Sequence, residues 1–166
     1  FVFQKRDLML MGYDQAVDDN TTLDIFWGLY EIMGVSLVDM RMWQWLYAHP
    51  DATAQQLREA TLAIAKEVWN TYYYPVLGEQ GSPILACYSH MVNAPMYLPN
   101  YPFGHIVEFQ LEEHLAQFPT KQAFADEIMR IYKLGKLTPN QWMQQAVGAK
   151  VSTTPILNAV EAILKK

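Results

Sequence analysis

The stretch "HMVNAPMYLPNY" sets one imidazole, His90, and two phenols, Tyr97 and Tyr101, on a segment broken by Pro95 and Pro99. Pro102 follows, and a strongly periodic run, "FGHIVEFQLEEHL", comes directly after it. A phenol held rigidly near a helix N-terminus is a good hydrogen-bond donor to an oxyanion developing on a carbonyl. Phe103 and Ile106 would anchor that helix from behind. The competing reading is packing. The chain has ten tyrosines, three of them consecutive (Tyr72, Tyr73, Tyr74), and most tyrosines pack with the hydroxyl at a wet edge.

Two other constellations compete for chemistry. His105, Glu108 and Glu112 fall on one helix face and in principle share a metal ion, but tetrahedral sites usually draw ligands from more than one element. The preferred reading is a polar helix face, extended by Glu113 and Gln117. Cys87 precedes His90 by one helical turn, yet it is flanked by apolar residues in "ILACYSH", and free cysteine mostly behaves as a small buried hydrophobe. The sequence contains no His-Glu-x-x-His and no Glu-x-x-His.

The elements that must position these groups are helical. "TLDIFWGLYEIMGVSLVDMRMWQWLYAH" predicts one very long helix over residues 22–49, roughly 40 Å at 1.5 Å per residue. Its expected buried face is Ile25, Leu29, Ile32, Met33 and Ser36, broadened by Phe26, Tyr30, Leu37 and Met40, with "DNTT" as cap and "HPDA" as stop. A second helix is predicted over residues 53–73, buried through Leu57, Thr61, Ile64, Ala65 and Val68. A loop, "YPVLGEQGSP", follows, and then a short helix opened by Ser82 and Pro83 and running through "ILACYSH". The proline-broken segment to Pro102 excludes regular helix, and Pro102 opens the next helix, to about Gln117. Short helices close the chain over residues 121–134 (stopped by Gly135), 139–147 (stopped by Gly148) and 155–164. Thr138 and Gln141 form a capping box with Pro139 at the first helical position. No alternating strand pattern appears, so the predicted fold class is all-α, a multi-helix lobe in a single domain over residues 1–166.

Composition bounds the function. The net charge of −5 and the absence of a basic stripe exclude a nucleic-acid footprint. One cysteine excludes an internal disulfide framework. No apolar run is long enough to span a membrane. The chain opens "FVFQKRDLMLMG", without Met and in mid-amphipathic pattern, and is expected to be the C-terminal part of a longer polypeptide. The compartment is not legible.

The order His90, Tyr97, Tyr101, helix resembles the C-terminal helical lobe of the zinc metallopeptidases (gluzincins) that include angiotensin-converting enzyme and the thimet-type oligopeptidases. The Phe109-Gln110 pair with Glu113 behind it is similar to the converting-enzyme branch, as is the tail "KLGKLTPNQWMQQAVGAKVSTTPILNAV". The likeness runs from about Tyr88 to the end. Tyr88 stands where converting enzyme has a lysine, so a C-terminal-carboxylate preference does not carry over. The resemblance implies that Tyr101 is catalytic as the oxyanion donor and that His90 and Tyr97 bind the peptide substrate. It implies zinc in the full-length parent, with its ligands upstream of Phe1 and none in this segment. "FVFQKRDLMLMG" would continue the helix of the glutamate ligand. The expected function is the substrate-binding and oxyanion-stabilising part of a zinc-dependent oligopeptidase, inert alone, with peptide substrate and the remainder of the parent chain as partners. The alternative is a non-catalytic helical module that binds peptides or proteins.

Overall fold

A computed structural model describes residues 15–166, with side chains from Asp19 onward; the stretch "FVFQKRDLMLMG" lies outside the described residues. Helix and turn make up the described chain, and no strand occurs among the described residues. The all-α expectation is met. The chain divides into two compact units, one of residues Trp27–Phe103 and one of Gly104–Lys166 with the chain up to Phe26.

The Trp27–Phe103 unit is built on the long helix. Helix α1 (Gln15–Ala48) is already helical at Gln15, so the "DNTT" residues expected as its cap lie inside it. Asn and Thr cost only a few tenths of a kcal/mol in a helix interior, too little to stop one that tertiary packing supports. Its C-terminus falls where "HPDA" places it: His49 Nδ1 lies 2.8 Å from the Trp45 carbonyl, and the two rings stack.

The buried stripe of α1 is Val35, Val38 and Met42, together with Asp39. This is a rotation from the expected face, of which Leu29 and Ser36 are buried while Met33 is exposed. Apolar counting cannot choose a stripe that includes an aspartate.

Helix α2 (Ala54–Tyr72) starts on a capping box, with the Thr53 N–H donating to Gln56 Oε1 at 2.9 Å and the Gln56 N–H to Thr53 Oγ1 at 3.3 Å. It buries Ala65, Val68 and Trp69 against Val35, Val38 and Met42 in one core with Tyr73, Leu85, Met91 and Leu98. The expected loop after it begins with a helical turn, α3 (Tyr74–Leu77), closed by Gly78. The loop is then tied to α2 by the Trp69 indole, which donates to the Glu79 carbonyl at 2.5 Å, and by Asn70 Oδ1, which accepts from the Gly81 N–H at 2.7 Å.

Tyr73 departs most from expectation. Its hydroxyl is not at a wet edge. It accepts from the Gly34 N–H at 2.8 Å and donates to the Tyr30 carbonyl at 2.5 Å, standing between the two ends of an i→i−4 pair in α1. Only glycine leaves room for this approach: a Cβ on residue 34 would lie 2.6 Å from Tyr73 Cζ. Burial, more than any other cause, pushes the Tyr73 phenol above its ordinary pKa, so the hydroxyl keeps its proton for that bond.

In the other unit, Leu111, Leu115, Ile131 and Ala146 form a core with Val107, Phe124, Ile128 and Trp142 around it. Leu111 and Leu115 come from helix α5 (Asn100–Leu115), whose first residues belong to the Trp27–Phe103 unit. Helices α6 (Lys121–Tyr132), α7 (Pro139–Val147) and α8 (Thr154–Leu164) fall close to their predicted bounds. The reason is local chemistry: Thr120 Oγ1 caps Ala123 at 3.1 Å, Gln141 Oε1 accepts from both the N–H and the hydroxyl of Thr138, and Gly148 ends α7 in the left-handed region at φ +78°.

Glu127 sits buried at the centre of a satisfied polar network. Its carboxylate takes Arg130 Nε at 2.8 Å and Nη2 at 2.5 Å, and lies 2.7 Å from His114 Nε2. Arg130 in turn donates to the carbonyls of Gln145 and Ala146, in the last turn of α7, at 3.0 and 2.5 Å. A cation at a helix C-terminus is favoured by both the free carbonyls and the macrodipole.

Candidate functional site

The segment from Tyr88 to Tyr101 does not fold as expected, and the differences shape the site. "ILACYSH" is not one short helix. A single 3-10 turn covers Ile84–Ala86, and a separate turn, α4 (His90–Asn93), begins at His90. His90 therefore opens a helical turn where the sequence suggested that it closed one. Helix α5 begins at Asn100, not at Pro102. Pro102 is tolerated in its first turn because the N–H it lacks has no intrahelical acceptor there. Tyr101 thus rides on the first turn of α5, backed by its own N–H to the Leu98 carbonyl at 3.2 Å, rather than on the loop before it.

The three sequence-predicted residues come together. His90 stacks on Tyr97 with ring centroids 6.0 Å apart and planes 11° from parallel. Tyr97 meets Tyr101 edge-on at 5.3 Å and 90°. Tyr88 extends the row, tilted against His90 at 5.3 Å. The residue that stands in place of a lysine in the resemblance is thus the fourth ring of the cluster. Tyr88, Tyr97 and Tyr101 are each more than 40% exposed, so their phenols are open to a ligand. A groove of about 310 Å³, lined by Met42, Leu57, Thr61, Tyr88, Met91 and Val92 among others, shares Tyr88 with the cluster.

The electrostatics suit a donor. Hydrogen bonding with the Tyr97 side chain, first, and then slight desolvation and the neighbouring phenols of Tyr97 and Tyr88 hold Tyr101 above the ordinary phenol pKa. Tyr101 keeps its proton at neutral pH and can give a hydrogen bond. It is unsuited to act as a base. Among the described residues, His90 Nδ1 is buried without a hydrogen-bonding partner.

Asp39 was missed by sequence reasoning. It sits in "VSLVDMRMW" with no motif around it, and it is fully buried. Among the described residues, neither carboxylate oxygen has a hydrogen bond of good geometry. The N–H of Met96, the indole of Trp43 and the N–H of Leu98 approach it and pull its pKa down, but burial is the larger effect and the carboxyl is raised above its ordinary value. Met96 is itself unusual, a non-glycine residue at φ +60°. The only signal in the sequence was an acid at a core-facing position of a long helix.

The remaining candidates fall elsewhere. His105 Nδ1 lies 2.9 Å from Glu108 Oε2, an i, i+3 pair on α5, and no group of three or more His, Cys, Asp and Glu side chains that could hold a metal ion occurs among the described residues. Cys87 is exposed, contrary to the buried-hydrophobe reading. Phe109 and Gln110 are buried, and the Gln110 amide bridges backbone, donating to the Lys150 carbonyl at 2.8 Å and accepting from the Ser152 N–H at 2.9 Å. No helix among the described residues is long and apolar enough to cross a membrane. Compared with known proteins, the chain matches no family model, no curated protein and no solved structure.

Proposed function

We propose that the chain is the C-terminal, substrate-binding and oxyanion-stabilising part of a zinc-dependent peptidase acting on oligopeptides. The observation that carries the reading is the row of rings, its tyrosines exposed and His90 half-buried, in which His90, Tyr97 and Tyr101 touch in sequence order with Tyr101 held protonated. On this reading the metal and its ligands lie outside the described residues, among which no group of three or more His, Cys, Asp and Glu side chains could hold a metal ion, and no step is routed through them here. What these residues contribute is recognition and charge stabilisation. His90 and Tyr97 hold the peptide backbone through hydrogen bonds to its carbonyl groups. Tyr101 donates its phenolic proton in a hydrogen bond to the oxygen of the scissile carbonyl as negative charge builds on it.

The test is peptide hydrolysis by the zinc-loaded parent polypeptide. Tyr101→Phe is expected to lower kcat by about 100- to 1,000-fold, with KM within about twofold, because the lost hydrogen bond is made only in the transition state. Equal loss in kcat and in peptide affinity, or no loss, overturns the assignment.

One observation favours a second reading, a helical module that binds peptides without cleaving them. Val92 and Met96 are exposed on the same segment as the rings, and apolar surface of this kind suits a docking face. On that reading Tyr101→Phe leaves peptide affinity nearly unchanged, Tyr97→Ala weakens it, and wild-type parent chain has no hydrolytic activity.

A further inference from the structure

We infer that Asp39 is a positioning residue: its buried carboxyl faces the backbone N–H groups of Met96 and Leu98, and so fixes the turn that delivers Tyr97 to the aromatic cluster.

The inference rests first on hydrogen-bond accounting. Within the segment from Ala94 to Tyr101, the N–H of Ala94 goes to the His90 carbonyl, that of Tyr97 to Ala94, that of Asn100 to Tyr97 and that of Tyr101 to Leu98. Among the described residues no backbone acceptor takes the N–H of Met96 or of Leu98. Leu98 is fully buried, so water is no substitute there, and buried backbone donors are almost always paired. The acceptor that stands near both is Asp39, whose oxygens are approached otherwise only by the Trp43 indole among the described residues.

Backbone geometry points the same way. Met96 holds a left-handed conformation that side-chain-bearing residues adopt only where surrounding contacts impose it. Alternate N–H groups, at 96 and 98, then approach one carboxylate while Tyr97 between them is exposed and stacks on His90. The anchor is rigid, because Asp39 stands between Val38 and Met42 on the buried stripe of α1. Trp43, one turn on, brings its otherwise unpartnered indole N–H toward the same carboxylate.

Asp39 touches no substrate in this account. It acts through Tyr97 and, through the Leu98 carbonyl that Tyr101 uses, on the first turn of α5. The consequence for catalysis rests on the peptidase reading. The positional claim does not.

The experiment separates the two. In the parent polypeptide, amide hydrogen exchange is followed at Met96, Leu98 and the core residue Val68 for wild type, Asp39→Asn and Asp39→Leu, alongside peptide hydrolysis. Exchange at Met96 and Leu98 is expected to quicken on the order of 10-fold or more in Asp39→Leu and less in Asp39→Asn, which keeps one acceptor oxygen, with Val68 unchanged. Hydrolysis by Asp39→Asn is expected to lose kcat by about 10- to 100-fold through the displaced first turn of α5 that carries Tyr101, and to raise KM through the displaced Tyr97. Unchanged exchange at Met96 and Leu98 overturns the inference. So does faster exchange in Asp39→Asn that Val68 matches, because that is general unfolding. If wild type hydrolyses no peptide, the peptidase reading falls, and the exchange data still decide the role of Asp39.

Discussion

The two units each bury a carboxylate, and they treat it in opposite ways. Glu127, in the Gly104–Lys166 unit, is met by the Arg130 guanidinium and by His114 at short distances, and the Arg130 hydrogen bonds above all hold its pKa down at about 2. Asp39, in the Trp27–Phe103 unit, is met only by backbone and indole donors at imperfect geometry, and burial raises its pKa. A buried charge with a charged partner and good geometry is part of the scaffold. A buried charge without either is a cost that persists only where something else depends on it, and what lies beside Asp39 is the turn bearing the aromatic cluster. Both units also aim side chains at backbone, the Gln110 amide at Lys150 and Ser152 in one and the Tyr73 hydroxyl at the α1 ladder in the other.

That contrast can be broken at several points. The largest stability effect is expected at Gly34. Gly34→Ala forces a Cβ into the Tyr73 ring and separates the hydroxyl from its backbone partners, at a cost of about 2–4 kcal/mol. Amide exchange at Ala65 and Val68 measures it, and the double change with Tyr73→Phe should cost clearly less than the two single changes added together. Next comes Glu127→Gln, expected to destabilise the surrounding unit by about 1–3 kcal/mol at neutral pH, somewhat below the full linkage value because Arg130 is half exposed. Exchange at Ile131 reads it out.

The pH dependences carry opposite signs. Glu127 has a folded pKa of about 2 against an ordinary 4.5, so the folded state binds fewer protons than the unfolded state in that window. Its contribution is present above about 4.5 and is lost as pH falls toward about 2. Asp39 has a folded pKa above its ordinary 3.8, so its contribution is present below that value and is lost as pH rises through the folded pKa. Acid unfolding followed at each unit should therefore become flatter around Ile131 in Glu127→Gln, and steeper around Val68 in Asp39→Asn. Shifts in the same direction would remove the contrast. The smallest effect is expected from Thr138→Ala, about 1 kcal/mol, because it removes a cap at an exposed helix end without touching the Glu127 network. Thermal unfolding of that unit measures it.

Much of the second unit was legible in the sequence. Capping boxes, a proline at the first helical position and glycines just past the last turn are local signals, decided within a few residues, and they placed α7 and very nearly α6 and α8. The candidate site was legible as a set of residue types, His90, Tyr97 and Tyr101, because they lie close in sequence and a short broken segment brings such residues near one another. Its detail was not. Tyr88 joined the row, α5 began at Asn100, and His90 opened a turn instead of ending one, because these outcomes depend on which backbone groups find partners across the unit.

The sequence by itself determined that the chain is helical, where most helices stop, and which side chains are candidates for chemistry. These follow from period, caps and breakers, all short-range. Only the tertiary structure decided which stripe of α1 is buried, that Tyr73 reaches into the α1 ladder at Gly34, and that Asp39 faces the turn at Met96. Those contacts join residues some forty to sixty positions apart, and their energies come from desolvation and from pairing backbone groups that no local pattern can assign.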